Sequence, residues 1–566
     1  MMAELDIFDY VIVGAGAAGC VLANRLAASG THTVCLLEAG PPDHSVFLRI
    51  PAGVYKASSS PRYAWQFETA PHPATANRSI PMPQGKTLGG STAINGMNYN
   101  RGCSEDFDGW AKRGNRGWSY AEVLPYFKRT ERKVGPGDKR YRGSDGALPI
   151  TDCDWQHPLC DAFIEAASGL GLPRNPDYNG ANQSGVGYYQ RYIENGWRIS
   201  AARAFLKPIA RKKNVDIRTN AHAVAVLFEG KRATGVRYAL EPGRPTRDVM
   251  ARREVILCAG AANTPKLLQI SGVGRPALLA ELGIPVVHAL PGVGANLQDH
   301  YMVHLVVRVK GIETISGRGL ALLWEATKWT LRRPSILAIS PSLVYGFANS
   351  RDLRSNPDIQ LDFALGNYSS RPPERFPVIK LGFYQLRPHS VGFVQARSPD
   401  PFCTPIIQPN YLVEEQDQRV VIDGIRTLRE MFDTPTLQPY CFGEELPGPS
   451  ATEDSDLLEF AQQAGLTAYH LCGTCQMGSR ENLSSVVDAE LRVHGLDNLR
   501  IADASIMPSV PSANTSAAVF MIAEKASDMI LGRHPLPAAD VGLPRQLKPD
   551  IKFASRQTAP VALQQA

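Results

Sequence analysis

The chain has 566 residues, 44% of them hydrophobic and 20% charged, with a formal net charge of +6. That balance excludes a disordered chain, gives no basic footprint for nucleic acid, and at this length implies several domains or two interleaved ones. Ten cysteines are too sparse for a disulfide scaffold. No metal site is expected. The first apolar strand begins within ten residues of Met1, leaving no room for a leader, and no apolar run reaches roughly 18 residues. The expected location is cytoplasmic.

Phe8–Val13 is a short apolar run rich in β-branched residues and reads as a buried parallel strand. Gly14-Ala15-Gly16-Ala17-Ala18-Gly19 follows, then apolar residues at helical spacing through Ala28, then a second strand at Thr33–Glu38. Strand, glycine turn, helix and strand within this span form the βαβ context of a dinucleotide site. Gly14 permits the tight turn, Gly16 lets backbone approach a pyrophosphate at the helix N-terminus, and Gly19 lets helix and strand pack closely. Glu38 ends the second strand, where a carboxylate suits two ribose hydroxyls and disfavours a 2′-phosphate. These features do not separate FAD from NAD.

A second glycine-rich stretch, Gly85–Gly96, has more glycine and small hydroxyl residues than turn chemistry needs and reads as a loop pressed against a ligand. Arg253–Gly260 reads as a strand. A helix is predicted to open at Thr264-Pro265, because proline suits the first helical turn. Between about 301 and 464 the pattern changes to alternating strands, such as Lys380–Leu386, and amphipathic helices, predicting a β-rich insert. Leu320, Leu323, Trp324, Trp329 and Leu331, with Lys328, Arg332 and Arg333, make a basic amphipathic segment. It is expected to pack on this insert, with a membrane surface as the alternative. Asn498–Asp503 reads as a strand, and a final helix is predicted from about Ala517 to Leu531. Residues 536–566 are proline-rich and weakly patterned, and are expected to form a tail or surface arm.

His470 lies in Tyr469–Gly478, with Asn514 beyond it. Imidazole is the side chain suited to accepting a proton near neutral pH. Cys472-Gly473-Thr474-Cys475 has redox spacing but lacks the strand–helix context of a redox pair and the second pair of a zinc site, so a buried, reduced pair is expected.

Together, Gly14–Glu38, Gly85–Asn98, Gly260–Gly274, Pro291–His300 and His470–Gly478 with Asn514 resemble the glucose–methanol–choline (GMC) family of flavin oxidoreductases, nearest its bacterial alcohol and choline dehydrogenase branch. The resemblance spans Asp9 to about Leu531. It implies an α/β fold: a doubly wound, Rossmann-like FAD domain (5–150, 200–300 and 465–535) and an inserted α+β substrate domain on an antiparallel sheet (151–199 and 301–464). It implies FAD held by Gly14, Gly16, Ala17, Ala18, Gly19, Glu38 and Ala39, by Gly89, Gly90, Ser91, Asn95 and Gly96, by Val224, and by Asp503, Ala504, Asn514 and Thr515. His470 and Asn514 match the family's catalytic pair. His300 is expected to be structural or on the flavin side. Ile94 stands where some members attach FAD through histidine, so non-covalent FAD is expected. Leu471 stands where many relatives have proline, and the tail is longer than in the family.

The implied reaction is oxidation of an uncharged primary aliphatic or aromatic alcohol to the aldehyde, with His470 as base and a pH–rate rise between about pH 6 and 8. The implied partners are that small-molecule alcohol and oxygen or a quinone-type electron acceptor, with location at most peripheral to the inner membrane. Choline, glycol or sugar alcohols, or a non-oxidising flavin reaction on the same fold, are the alternatives. No acidic cluster in the middle of the chain marks a site for a choline-like cation.

Overall fold

The computed structural model describes residues 6–312, 315, 319–351, 357–366 and 377–542. Two seven-stranded sheets organise these residues. In the first, Ile7–Val13 lies between Val34–Leu37 and Arg247–Leu257, with Val215–Arg218 outside Val34–Leu37, all parallel. Leu499–Ile501 adds parallel to Arg247–Leu257, whose earlier half pairs with an antiparallel hairpin, His222–Glu229 and Arg232–Ala239. The central strands are buried on both faces, which is why they read as unbroken apolar runs. Helices Ala17–Leu26 and Thr515–Ile530 belong to the same core.

The second sheet is antiparallel, in the order Cys441–Leu446, Tyr301–Val309, Val378–Gln385, Ile359–Ala364, Val344–Ala348, Gly185–Tyr188. Its alternation is clean. Val303, Leu305, Leu361, Phe363, Leu381 and Phe383 point to an apolar rear core shared with helix Glu415–Phe432. Gly424 lets that helix sit on the sheet, since a Cβ there would fall 2.3 Å from the Phe383 ring. Residues of the opposite parity point towards the first sheet. The two-residue strand Leu466–Thr467 pairs with Tyr301–Met302, so the approach to His470 is registered on this second sheet.

Two local readings change. The helix expected to open at Thr264-Pro265 runs Gly260–Ile270, with Pro265 inside it. Proline removes one helical N–H and frees the carbonyl four residues earlier; that carbonyl, of Ala261, accepts from Thr474 Oγ1 at 2.7 Å. The basic amphipathic helix Gly319–Thr330 does not bury its apolar stripe on the insert. Leu320, Leu323, Trp324 and Leu331 are 84%, 64%, 61% and 61% exposed. Only its other side is anchored, by Trp329, which donates to Gly196 O at 2.8 Å and meets the Trp197 ring edge-on. Among the described residues no helix is long and apolar enough to cross a membrane. Of the expected tail, 536–542 run along the first unit, with Leu536 N donating to Tyr126 OH and Tyr141 OH donating to Val541 O; 543–566 lie outside the described residues.

Candidate active site

One cavity of about 510 Å³ runs from the glycine turns of the first sheet to the front face of the second. At its first end, helix Ala17–Leu26 begins at Gly16 with no side-chain cap. Its first N–H groups and dipole are left to favour an anion. A Cβ on Gly16 would have only one neighbour, Cys258 O at 4.0 Å, whereas one on Gly90 would fall 2.7 Å from Gly16 Cα. The second glycine-rich stretch is therefore packed directly on the first turn, and Gly89 N donates to Ala15 O at 2.8 Å. Glu38 is buried; its two oxygens accept from Ala15 N at 2.9 Å and Gly40 N at 2.8 Å. Burial pushes its carboxyl up to about 7, against those two bonds, while each oxygen keeps an accepting lone pair for a ligand hydroxyl.

Gly14, Gly16, Ala17, Ala18, Glu38 and Ala39 line this cavity, as do Gly90, Ser91, Asn95 and Gly96, and Asp503, Ala504, Asn514 and Thr515. Gly19, Gly89 and Val224 do not. Gly19 packs beneath the Gly14 carbonyl, which a Cβ would meet at 1.9 Å, and beside Val224 it is Ala221, His222 and Ala223 that form the wall. Asp503 is committed to protein: it accepts from Gly260 N, Thr264 Oγ1, Ser505 N and Ser505 Oγ. The buried Asn98 Oδ1, facing the cavity, has no hydrogen-bond partner, as expected of a group waiting for a ligand. An uncapped helix start, opposed glycine turns, a carboxylate with spare acceptors and an orphaned amide oxygen together fit the two ends and the ring system of FAD. Ile94 lines the cavity and offers no nucleophile.

Further along, His470 and His300 are brought together because Gln298 and Cys472 exchange backbone hydrogen bonds at 3.0 and 3.1 Å, aligning their segments antiparallel. Tyr469 holds φ 65°, a left-handed value that is costly for a bulky residue, and turns the chain so that His470 enters the cavity. Asp299 fixes both histidine backbones: its Oδ1 accepts from His470 N at 2.7 Å and His300 N at 2.9 Å. Its Oδ2 accepts from Thr467 Oγ1 at 2.6 Å and from the Tyr411 hydroxyl. Burial raises this carboxyl to about 6, opposed by those four donors.

Hydrogen-bond direction then assigns the protons. His300 Nε2 lies 3.2 Å from Leu386 O, an acceptor only, so Nε2 carries hydrogen. In neutral His300, Nδ1 is therefore the acceptor. It faces His470 Nδ1 at 2.9 Å, so His470 donates through Nδ1–H and keeps a lone pair on Nε2. That nitrogen faces Asn514 Nδ2 at 3.0 Å. Tyr384 stacks on His300, meets His470 edge-on and reaches Asn514 Oδ1 at 3.5 Å. Asn514 stands at the N-cap of the last helix yet makes no cap bond, so its amide serves the cavity.

Burial, then the repulsion that two protonated imidazoles side by side would feel, holds His470 well below the usual imidazole range; burial likewise lowers His300 to about 3. That direction keeps His470 neutral at neutral pH and places any rate rise on the acid side of the range expected from an ordinary histidine. Cys472 and Cys475 are buried free thiols. Burial raises both far above the ordinary thiol range, so the redox spacing carries no thiolate.

Several site residues were not legible as such. His300, expected to be structural or on the flavin side, touches His470 directly, and Asp299 and Tyr384 complete the group. Asp362 and Lys380 also line the cavity, in the middle of the chain where the sequence showed no acidic cluster. The Asp299-His300 pair within a matched block was the one signal available.

The GMC oxidoreductase family matches residues 8–302 in its N-terminal part and 388–523 in its C-terminal part. The chain belongs to this family and is an FAD-dependent oxidoreductase acting on CH–OH groups. It is 42% identical over 553 residues to an oxygen-dependent choline dehydrogenase of Chromohalobacter salexigens, covering 95% of this chain and 98% of that one. It is 39% identical to an alcohol dehydrogenase (acceptor) of Pseudomonas putida, covering 96% and 100%. Among solved structures, pyridoxine 4-oxidase from Mesorbium loti superposes with a TM-score of 0.83 at 30% identity, covering 94% of this chain and 100% of that one.

Proposed function

We propose that this enzyme oxidises an uncharged primary alcohol, aliphatic or aromatic, to the aldehyde, with His470 as the general base and Asn514 as its partner at the substrate oxygen. Bound FAD supplies the hydride acceptor; the chain supplies position and the proton acceptor. The observation that carries the reading is the His470 Nε2 lone pair, directed by the His300–Leu386 chain into the cavity beside an amide that can donate. A hydroxyl placed within about 3 Å of Nε2 gives up its proton there. The second Asn514 amide hydrogen stabilises the developing alkoxide. General-base help of this kind contributes about 10²–10⁴-fold.

The domain division at 5–150, 200–300 and 465–535 against 151–199 and 301–464 is retained as part of the proposal, with the reaction at the junction of the two sheets. Electrons leave to oxygen or a quinone-type acceptor; the names of relatives that mention oxygen and an acceptor support both routes. The test is anaerobic mixing of flavin-loaded protein with primary alcohols, then turnover with oxygen and with a quinone-type acceptor in parallel. Bleaching by 1-alkanols or benzyl alcohol is the expected result. Bleaching by choline or sugars alone overturns the substrate reading.

A second reading concerns location. The outward stripe Leu320, Leu323, Trp324 and Leu331, next to Arg332 and Arg333, suits the interface of an anionic membrane. Co-sedimentation with anionic but not zwitterionic vesicles, lost in Leu323→Ser/Trp324→Ser, is expected. Equal pelleting of the variant and the parent refutes it.

A further inference from the structure

We propose that Asp362 and Lys380 form a distal subsite that selects, among uncharged primary alcohols, those carrying a second hydroxyl or other neutral donor–acceptor group at the far end. The inference rests on the alcohol-oxidation reading above and specifies the substrate for that site.

The front face of the second sheet carries the even-numbered residues of three adjacent strands. Met302, Tyr384 and Gln360 stand opposite one another in a first row; His304, Gly382 and Asp362 make the second; Val306, Lys380 and Ala364 make the third. Tyr384 is the member that reaches Asn514 and packs on the histidine pair. Asp362 is thus the diagonal neighbour of Tyr384 on one side and of Lys380 on the other. Diagonal pairs in an antiparallel sheet have their Cβ atoms about 7–8 Å apart. Gly382 contributes no side chain between His304 and Asp362, and the His304 ring lies over it: a Cβ there would fall 2.4 Å from that ring.

Asp362, Lys380 and His304 all line the cavity. Among the described residues, Asp362 and Lys380 form no ion pair within 4.0 Å with each other or with any other group. Asp362 accepts from the Ser342 hydroxyl, and Lys380 acts on it through charge alone. Burial raises the carboxyl to about 6, opposed first by the Ser342 hydrogen bond and then by the Lys380 charge, and burial lowers the ammonium, opposed by the Asp362 charge. A carboxylate that accepts from one hydroxyl and an ammonium without an ion-pair partner are costly to hold in a cavity unless the occupant satisfies them.

The occupant's chemistry follows from the pair. A cationic end would gain at Asp362 and lose at Lys380, and an anionic end the reverse. A plain alkyl end would strip water from both charges and return nothing. A hydroxyl does both tasks, donating to the carboxylate and accepting from the ammonium. The spacing places it roughly 7–8 Å beyond the Tyr384 level, so the reacting and distal groups sit on an extended chain of a few carbons.

The test uses holoenzyme and a quinone-type acceptor. kcat/KM is measured for α,ω-diols of four to eight carbons, the matching 1-alkanols, choline and 6-hydroxyhexanoate. The parent should prefer the best diol over its alkanol by about 10-fold or more, the scale of one hydrogen bond to a charged group and well above the twofold statistical advantage of two equivalent ends. The double variant Asp362→Leu/Lys380→Met, which removes both charges together, should lose that preference while keeping turnover of the alkanol. Lys380→Met should shift selectivity towards choline, and Asp362→Leu towards 6-hydroxyhexanoate. A diol-to-alkanol ratio near two in the parent, or one unchanged in the double variant, overturns the subsite and leaves alcohol oxidation standing. Failure of every alcohol and diol to bleach the flavin overturns both.

Discussion

Replacing His300 by Phe isolates the role of the histidine pair. Phe keeps a ring against Tyr384, which stacks on His300 with centroids 5.4 Å apart, but removes the acceptor that receives His470 Nδ1–H at 2.9 Å. His470 is buried, so the variant must leave that N–H unsatisfied or move the proton to Nε2. An unsatisfied buried donor costs about 1–3 kcal/mol, and that is the bias now pushing the proton onto the nitrogen that has to act as base. Flavin reduction should therefore slow by about 5- to 150-fold, with little change in flavin content. His300→Gln, which restores an accepting oxygen on a flexible arm, should recover part of the loss. The assay is anaerobic stopped-flow reduction of flavin-loaded protein by a saturating primary alcohol. Reduction by His300→Phe at the parent rate would refute the proton assignment, since the tautomer of His470 would then be fixed by something else.

Three further outcomes follow from the same geometry. A base must be neutral to work, so the rate rises with pH through the pKa of His470, and burial holds that pKa well below 6.5. The reduction rate should be flat above about pH 7 and fall on the acid side, beginning where the Asp299 carboxylate, raised to about 6, takes a proton; a single midpoint at pH 7 or above contradicts this. Gly90→Ala should bind flavin poorly, because its Cβ would overlap the Gly16 backbone at 2.7 Å and push the two turns apart; purification with parental flavin content would count against the packed-turn account. Acid precipitation should release all flavin into the supernatant, Ile94 offering no attachment, and yellow colour in the pellet would overturn non-covalent binding.

The legible parts of this chain are those where one local segment carries the whole signal. Ile7–Leu37 announces its strand, turn, helix and second strand because the whole βαβ pattern lies within it, with Glu38 next in the chain. Fully buried parallel strands also give themselves away as unbroken apolar runs. His470 and Asn514 are visible only through resemblance, since a lone histidine and a lone asparagine carry little by themselves. What could not be read depends on register. Lys380 and Asp362 are polar residues in alternating strands, and alternation says that they share a face, not that the face lines a cavity instead of meeting water. The Gly319–Thr330 stripe failed for the matching reason: periodicity finds the apolar side of a helix but not what stands opposite it. Pro265 misled because a proline inside a helix is tolerable only when a distant group, here Thr474, takes the carbonyl it frees.

The most direct test of the central claim compares the parent with His470→Ala, both flavin-loaded, in anaerobic reduction by one good primary alcohol. The account predicts that the variant keeps its yellow colour and reduces about 10²- to 10⁴-fold more slowly. Reduction at the parent rate would contradict it.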